Sequence, residues 1–258
     1  MVRDLLRWLR RSSLTPGPGT RIASTLSSRM VFLSEITLPS EQEADGIASE
    51  LKRFVAAADF PCVGAKAALR RHQLNVLVVS DIRSSAGDLL ITRHLQEFAV
   101  RHDNDAQMFV SQAVVFGNRI AFSEEEFETH LWQRLTNLHA IDRCDFQWDA
   151  NVDSDPSSPH FSLSIGGKGF FVVGLHPNAS RAARRFHYPT LVFNLHAQFE
   201  RLRDEGRYEQ IRSKTIERDI ALDGNVNPML ARHGEGSAAA QFSGRVVEKN
   251  WKCPFRHD

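Results

Sequence analysis

Cys62 stands at the predicted start of a short helix, within the sequence FPCVGAKAALRR of residues 60–71. Pro61 suits a helix start because its φ is preset and it needs no donor, and the residues after it are good helix formers. The unpaired N–H groups and the positive dipole end of such a helix favour thiolate over thiol. Gly64 lacks a side chain, so a flat ligand can lie against the helix start. These features predict a proximal site for haem iron, and the alternative is a small buried cysteine that packs the helix start.

A cluster of arginines lies in residues 176–185, which read HPNASRAARR. We expect a short helix here from Asn178 to Arg185, capped by the Asn178 side chain. The free N–H groups of its first turn, together with Arg181, Arg184 and Arg185, form a predicted anion site. Such a site suits haem propionates or a substrate carboxylate. The alternative interpretation is a solvated basic helix face.

Two histidines, His160 and His176, stand at opposite ends of a predicted β-hairpin. We expect strands at residues 160–165 and 170–175, joined by a glycine-rich turn at residues 166–169. The two imidazoles are adjacent if these strands pair in register. They could then supply a metal ligand or a distal acid/base group. Purely structural histidines are the alternative.

The C-terminal sequence WKCPF offers a second thiol, Cys253. Cys253 is the alternative iron ligand, because the proline after it gives the sulfur no N–H group. Trp251 and Phe255 could sandwich a porphyrin, although we favour a hydrophobic anchor for this stretch. Glu235 lies between two glycines of the same tail and could pair with a guanidinium or ammonium substrate.

The composition is that of an ordinary globular protein, with 258 residues, 42% hydrophobic and 24% charged. A net charge of +1 argues against a dedicated nucleic-acid binder. Three scattered cysteines are too few for a disulfide framework and fit a reducing cytoplasm. The sequence has no run of about 18 apolar residues, so we expect no stable membrane insertion.

Residues 1–35 are predicted to be a disordered, arginine-rich extension. Residues 1–29 carry six arginines around a stretch rich in Ser, Thr, Gly and Pro, with Asp4 as their only acid. We therefore assign residues 36–258 to one predicted domain.

Helices and strands alternate along that predicted domain, and capping boxes at Ser40 and Ser123 begin two of the helices. The predicted helices are residues 40–58, 62–71, 87–100, 123–141, 178–185, 196–204 and 208–219. The predicted strands are residues 75–80, 108–116, 160–165, 170–175 and 190–195. This order predicts an α/β fold: a single domain with a mixed sheet flanked by helices and a long ordered C-terminal tail.

Several runs of the sequence together resemble the YqcI/YcgG family. They are FPCVGAKAAL, PHFSLSIGGKGFFVVGLHPNASRAARRF, PTLVFNLHAQFERLR, DGNVNPML, QFSGR and WKCPF, which span residues 60–255. The cysteine loop and its helix also resemble those of cytochromes P450, and the C-V-G triplet is similar to that of nitric oxide synthases. Residues 236–240, GSAAA, are less charged than the family resemblance leads us to expect.

The resemblance implies a haem-dependent monooxygenase that hydroxylates a guanidine nitrogen. Relatives do so with arginine, in D-cycloserine biosynthesis, and with pre-guanitoxin. It therefore implies haem b, dioxygen and an external electron donor as partners, and arginine or a related guanidino compound as the substrate.

In this interpretation Cys62 ligates the iron, as cysteine does in P450s. Either Glu235 or Asp223 orients the substrate guanidinium, and either His160 or His176 serves the distal side. Two alternatives stay open. One is a non-catalytic haem carrier or sensor with histidine ligation, and the other is a non-haem iron oxygenase, for which we find no facial-triad spacing.

Overall fold

The computed structural model describes residues 38–102, 107–230, 236–248 and 250–257. The predicted extension, residues 1–35, lies outside the described residues, and so does Glu235.

The described residues contain six α-helices and five strands. The helices are α1 (Glu41–Ala56), α2 (Val63–Arg70), α3 (Asp88–Arg101), α4 (Glu124–Asp142), α5 (His196–Asp204) and α6 (Tyr208–Asp223). The strands are β1 (Leu74–Val79), β2 (Ser111–Phe116), β3 (Leu163–Ile165), β4 (Lys168–Leu175) and β5 (Thr190–Leu195). Two short 3₁₀ helices cover Ala182–Arg184 and Ala238–Gln241.

The strands form one open sheet in the order β1-β2-β5-β4-β3. The β1–β2 pair is parallel, and the other three pairs are antiparallel. The prediction of an α/β fold with a mixed sheet flanked by helices is therefore confirmed.

Side chains of the sheet alternate between two faces, as the pleat requires. One face, called face B here, packs against α3 and α4 and includes Leu77, Val114 and Phe193. The opposite face, face A, packs against α1 and α2 and includes Ala113 and Val115. The apolar residues of each face belong to a separate core.

Local capping determines where two of the helices begin. At α1 the Ser40 side chain accepts from the Glu43 N–H while the Glu43 carboxylate accepts from the Ser40 N–H. Ser123 and Glu126 form the same reciprocal pair at α4. Both predicted capping boxes are confirmed, because each depends only on residues three apart.

The hairpin register differs from the prediction. The turn between β3 and β4 uses only Gly166 and Gly167, whose φ values of 62° and 70° suit a two-residue turn. Ile165 therefore pairs with Lys168, and Leu163 pairs with Phe170. The four-residue turn that we expected would have shifted this register by two residues.

Beyond the end of β3, the C-terminal tail packs against β4. The Gly174 N–H of β4 donates to the Phe242 carbonyl at 2.7 Å, and the Phe242 and Phe255 rings are buried in the face B core. The predicted ordered tail is thus confirmed for its described residues. Within the described part of the chain, no helix is long and apolar enough to cross a lipid bilayer.

Packing of α4 against β4 provides a test of the fold. A Cβ atom added at Gly174 would lie 2.6 Å from the Phe127 ring and 2.9 Å from Leu131. We expect Gly174→Ala to lower the free energy of unfolding by about 1–3 kcal/mol through overpacking, measured by urea denaturation.

The matched control is Gly46→Ala, since Gly46 lies inside α1 with no atom within 4 Å of the added Cβ. This control should raise stability by up to about 1 kcal/mol, because alanine favours helix more than glycine does. Equal effects of the two substitutions would contradict the described packing of α4 on β4.

Candidate functional site

Cys62 occupies the N-cap position of α2. Its backbone is extended, with φ −68° and ψ 110°, and its Sγ atom accepts a hydrogen bond from the Ala65 N–H at 3.4 Å. The side chain is half-buried at the edge of the face A core. The predicted helix start and the predicted N–H contact are therefore present in the structure.

Burial works against the thiolate that the helix terminus favours. Burial raises the pKa of the Cys62 thiol, and the N–H groups of Ala65 and Gly64 lower it by a smaller amount. The helix terminus alone therefore does not produce a thiolate at this position. Burial therefore favours the protonated thiol at Cys62, and a metal ion that binds this sulfur would have to displace its proton.

Helix α6 holds the loop that leads into Cys62. The Val63 N–H donates to Thr215 Oγ1 at 3.4 Å, and the Arg218 guanidinium donates to the carbonyls of Ala58 and Phe60 at 2.8 and 3.0 Å. Thr215 and Arg218 were not among the predicted site residues. The sequence predicts helix α6, but nothing in its pattern indicates which of its turns meets the Cys62 loop.

A row of small apolar side chains runs across face A. The strand registers place Val76, Ala113, Val192 and Val173 side by side. The three valines are half-buried, and they pack against the same core as Cys62. Helix α6 packs chiefly against α2, α5 and the first 3₁₀ helix rather than against the strands, so this row is only partly covered.

Phe109 adjoins the same region in an unusual backbone conformation. Its φ is 69°, a left-handed value that bulky residues seldom adopt. A Cβ atom added at Gly64 would lie 3.4 Å from the Phe109 ring, and the Arg71 guanidinium lies 5.3 Å from the ring centroid. Strain of this kind is often found at functional sites.

The Arg181 side chain is buried and faces two carboxylates. Its guanidinium donates to the Asp219 carboxylate and the Asn225 side chain, and its Nε atom lies 3.1 Å from Asp223 Oδ2. Both acids belong to α6. Arg181 therefore ties the loop after β4 to this helix.

Arg184 and Arg185 bind backbone carbonyls. Arg184 donates to Gln241 and Phe242 at 2.8 and 3.0 Å, which fastens the tail to β4, and burial lowers its pKa to about 10. Arg185 donates to Ala179 at 3.0 Å. The three arginines of the predicted anion site thus point to three different sets of partners.

The predicted helix from Asn178 to Arg185 is wrong. The chain forms turns there and then a single 3₁₀ turn over Ala182–Arg184. The Asn178 amide donates to the Phe122 carbonyl, 56 residues away in sequence, at 2.9 Å and so caps no helix. The row of free N–H groups expected at Asn178 is therefore not formed.

The predicted adjacency of His160 and His176 is also wrong. The β3 ladder ends at Leu163, and the observed register would place His160 opposite Val173. His160 is exposed, whereas His176 is buried and stacks on the Phe127 ring with the ring centroids 4.4 Å apart.

Cys253 lies on the opposite side of the sheet from Cys62. It packs with Trp251 and Phe255 against the face B core, and the Trp251 ring lies 6.2 Å from that of Trp132. Burial raises the pKa of Cys253 to about 12. This placement agrees with the hydrophobic anchor that we favoured.

The remaining candidates are spread over the structure. Asp223 accepts from the Ala182 N–H at 3.1 Å besides pairing with Arg181. Across the described ranges, no three His, Cys, Asp or Glu side chains form a cluster that could hold a metal ion. A cavity of about 260 Å³ at the end of α4 is lined by His139, Asp142 and Trp148, and none of the predicted site residues lines it.

The fold and the site define a class: an α/β protein with a mixed five-stranded sheet and a cysteine that caps a helix beside a partly covered apolar face. A model of the YqcI/YcgG family matches residues 51–256, and the chain belongs to that family. No curated protein and no solved structure matches the chain.

Ion pairing of Arg181 gives a prediction about stability. Arg181→Ala leaves Asp219 and Asp223 without their cation, so we expect the free energy of unfolding to fall by about 3–5 kcal/mol. Chemical denaturation followed by circular dichroism measures this loss. Arg185→Ala is the control and should cost about 1 kcal/mol or less, because Arg185 is exposed and donates only to carbonyls. A small effect at Arg181 would show that α6 is held by other contacts.

Burial of His176 predicts a pH dependence. Desolvation lowers the pKa of this imidazole to about 4 from its usual 6.5, so the unfolded chain binds the proton more readily. The resulting stabilisation is complete above about pH 6.5 and is lost as the pH falls towards 4. In His176→Phe, the loss of stability between pH 7 and 4.5 should shrink by about 2–3 kcal/mol.

Urea denaturation at both pH values measures that difference. His187→Gln is the control, since His187 is exposed, and this variant should keep the dependence of the parent chain. Unchanged pH dependence in His176→Phe would contradict the assignment of the effect to His176.

Proposed function

We propose that this protein is a haem-dependent monooxygenase that hydroxylates a guanidine nitrogen of arginine or a related guanidino compound. Dioxygen and electrons from an external donor are the co-reactants. The observation that carries the proposal is the position of Cys62, which caps α2 and packs against the same core as the half-buried valines of face A. Membership of the YqcI/YcgG family supports it, because the resemblance implies the same activity.

The surroundings of Cys62 fit a haem thiolate. Two backbone N–H groups, from Gly64 and Ala65, are available to hold negative charge on the sulfur. The valine row offers an apolar surface of the kind that a porphyrin covers. Cys253 fits less well, because its sulfur lies among aromatic rings in the face B core.

Haem b would supply an iron centre that activates dioxygen, and cysteine ligation favours cleavage of the O–O bond. The chain would contribute in other ways. Cys62 would release its proton on ligation, and the N–H groups of Gly64 and Ala65 would then stabilise the anionic sulfur. Val76, Val173 and Val192 would keep water from this side of the site.

The substrate guanidinium needs a carboxylate partner. Asp223 already faces a guanidinium, that of Arg181, so a substrate would have to compete for it. We therefore propose Glu235 as the primary partner. The proposal has two further parts. Carboxylate groups would be bound by Arg181, Arg184 and Arg185, and a distal group would be supplied by His160 or His176. Each of these roles requires a rearrangement of, or an addition to, the contacts described above.

The absorption spectrum of the purified protein tests the proposal. We expect full-length protein produced with ample haem to bind haem, and its reduced carbon monoxide complex should show the red-shifted Soret band of thiolate ligation. Cys62→Ser should lose or strongly perturb this band while the protein stays folded. Cys253→Ser is the matched control and should keep it.

Four outcomes would contradict the proposal or part of it. A colourless protein would exclude haem. A histidine-type carbon monoxide spectrum would move the ligand to His160 or His176, and loss of the band only in Cys253→Ser would move it to the C-terminal thiol. Haem binding without turnover of arginine or any guanidino compound would favour the carrier or sensor.

A further inference from the structure

Positive charge is concentrated around the Cys62 loop. Residues 51–72 contain five Lys or Arg residues and one acid, Asp59, in a chain whose net charge is only +1. Three cations from two helices converge at this loop: Lys66 and Arg70 on α2, and Arg218 on α6. We call these three residues the cationic face.

Hydrogen bonds attach two residues of the cationic face to the backbone just before Cys62. The Lys66 ammonium donates to the carbonyls of Ala57 and Ala58 at 2.6 and 3.0 Å. The Arg218 guanidinium donates to the same Ala58 carbonyl at 2.8 Å. Arg70 follows Lys66 by four residues, so the two side chains lie on one side of α2.

The three residues of the cationic face differ from other cations of the protein in their pairing. Within the described ranges, none of the three forms an ion pair with a carboxylate, whereas Arg83 and Arg93 elsewhere pair with Asp81 and Asp145.

The pKa of Lys66 shows the effect of the neighbouring positive charges. Its pKa is lowered by partial burial and by repulsion from Arg218 and Arg70, while Asp59 is the acid that opposes the shift. Like charges held together destabilise the free protein, and a bound anionic surface would relieve that cost.

We propose that the cationic face is the docking surface for an acidic protein that delivers electrons. The proposal rests on the proposed function, which requires an external donor. Its location follows from the structure, because Lys66 and Arg218 donate hydrogen bonds to the backbone that leads directly into Cys62. Complementary charge accelerates encounter and orients such partners, and it makes binding sensitive to salt.

Binding of known acidic electron carriers tests the proposal. We suggest isothermal titration of the full chain, without added haem, with a purified acidic [2Fe–2S] ferredoxin and with an acidic flavodoxin. We expect binding at low ionic strength that is lost at high ionic strength. Arg70→Glu should weaken it by about fivefold or more, because it reverses an exposed charge of the cationic face.

Arg101→Glu is the matched control. Arg101 is an exposed arginine at the end of α3, on the face B side, and its substitution changes the net charge by the same amount. This variant should bind the carriers as the parent chain does. Thermal melts of both variants check that they are folded.

Three results would overturn the proposal. The first is the absence of binding to both carriers at low ionic strength, and the second is equal weakening by the two substitutions. The third is Arg70-dependent binding to anionic vesicles or RNA with none to the carriers, which would assign the face to a different partner. Because these titrations need no haem, they succeed or fail independently of the absorption spectrum that tests the proposed function.

Discussion

Burial of the Arg181 guanidinium is the constraint on which the geometry of the site depends. A charge removed from water is costly unless opposite charges and hydrogen bonds compensate it. Here Asp219 and Asp223 do so, and both belong to α6. The position of α6 then determines where Thr215 and Arg218 meet the Cys62 loop. An ion pair more than a hundred residues further along the chain therefore positions the candidate cysteine.

The sheet divides the molecule into two environments with different tasks. Face B is closed by α3, α4 and the tail, and its aromatic residues form a continuous core that contains Cys253 at its edge. Face A is only partly covered, since α6 rests on other helices and leaves the valine row half-buried. A fully packed face stabilises the fold, and a partly covered one leaves apolar surface for a ligand. This asymmetry distinguishes the two thiols, which sequence motifs alone rank only weakly.

Predictions succeeded where the determining contacts are local. Ser40 and Ser123 were correctly placed as helix starts, because each capping box closes within one turn. The predictions failed where a residue far away in the sequence competes for the same hydrogen-bonding side chain. Asn178 has the right chemistry for an N-cap, but its amide binds the Phe122 carbonyl instead. The hairpin was located correctly, yet its register depended on a turn of two glycines, Gly166 and Gly167, that the sequence GGKG did not distinguish from a longer one.

By itself the sequence determined the order and type of nearly every element, the mixed α/β class, the family and the position of Cys62 at a helix start. These properties follow from periodicity, capping and composition, which act over a few residues. Only the tertiary structure decided which charges and rings meet. It paired Arg181 with α6, stacked His176 on Phe127 and separated the two cysteines by the sheet. Such contacts join residues far apart in the chain, and burial, which sets their energies, arises only when the chain has folded.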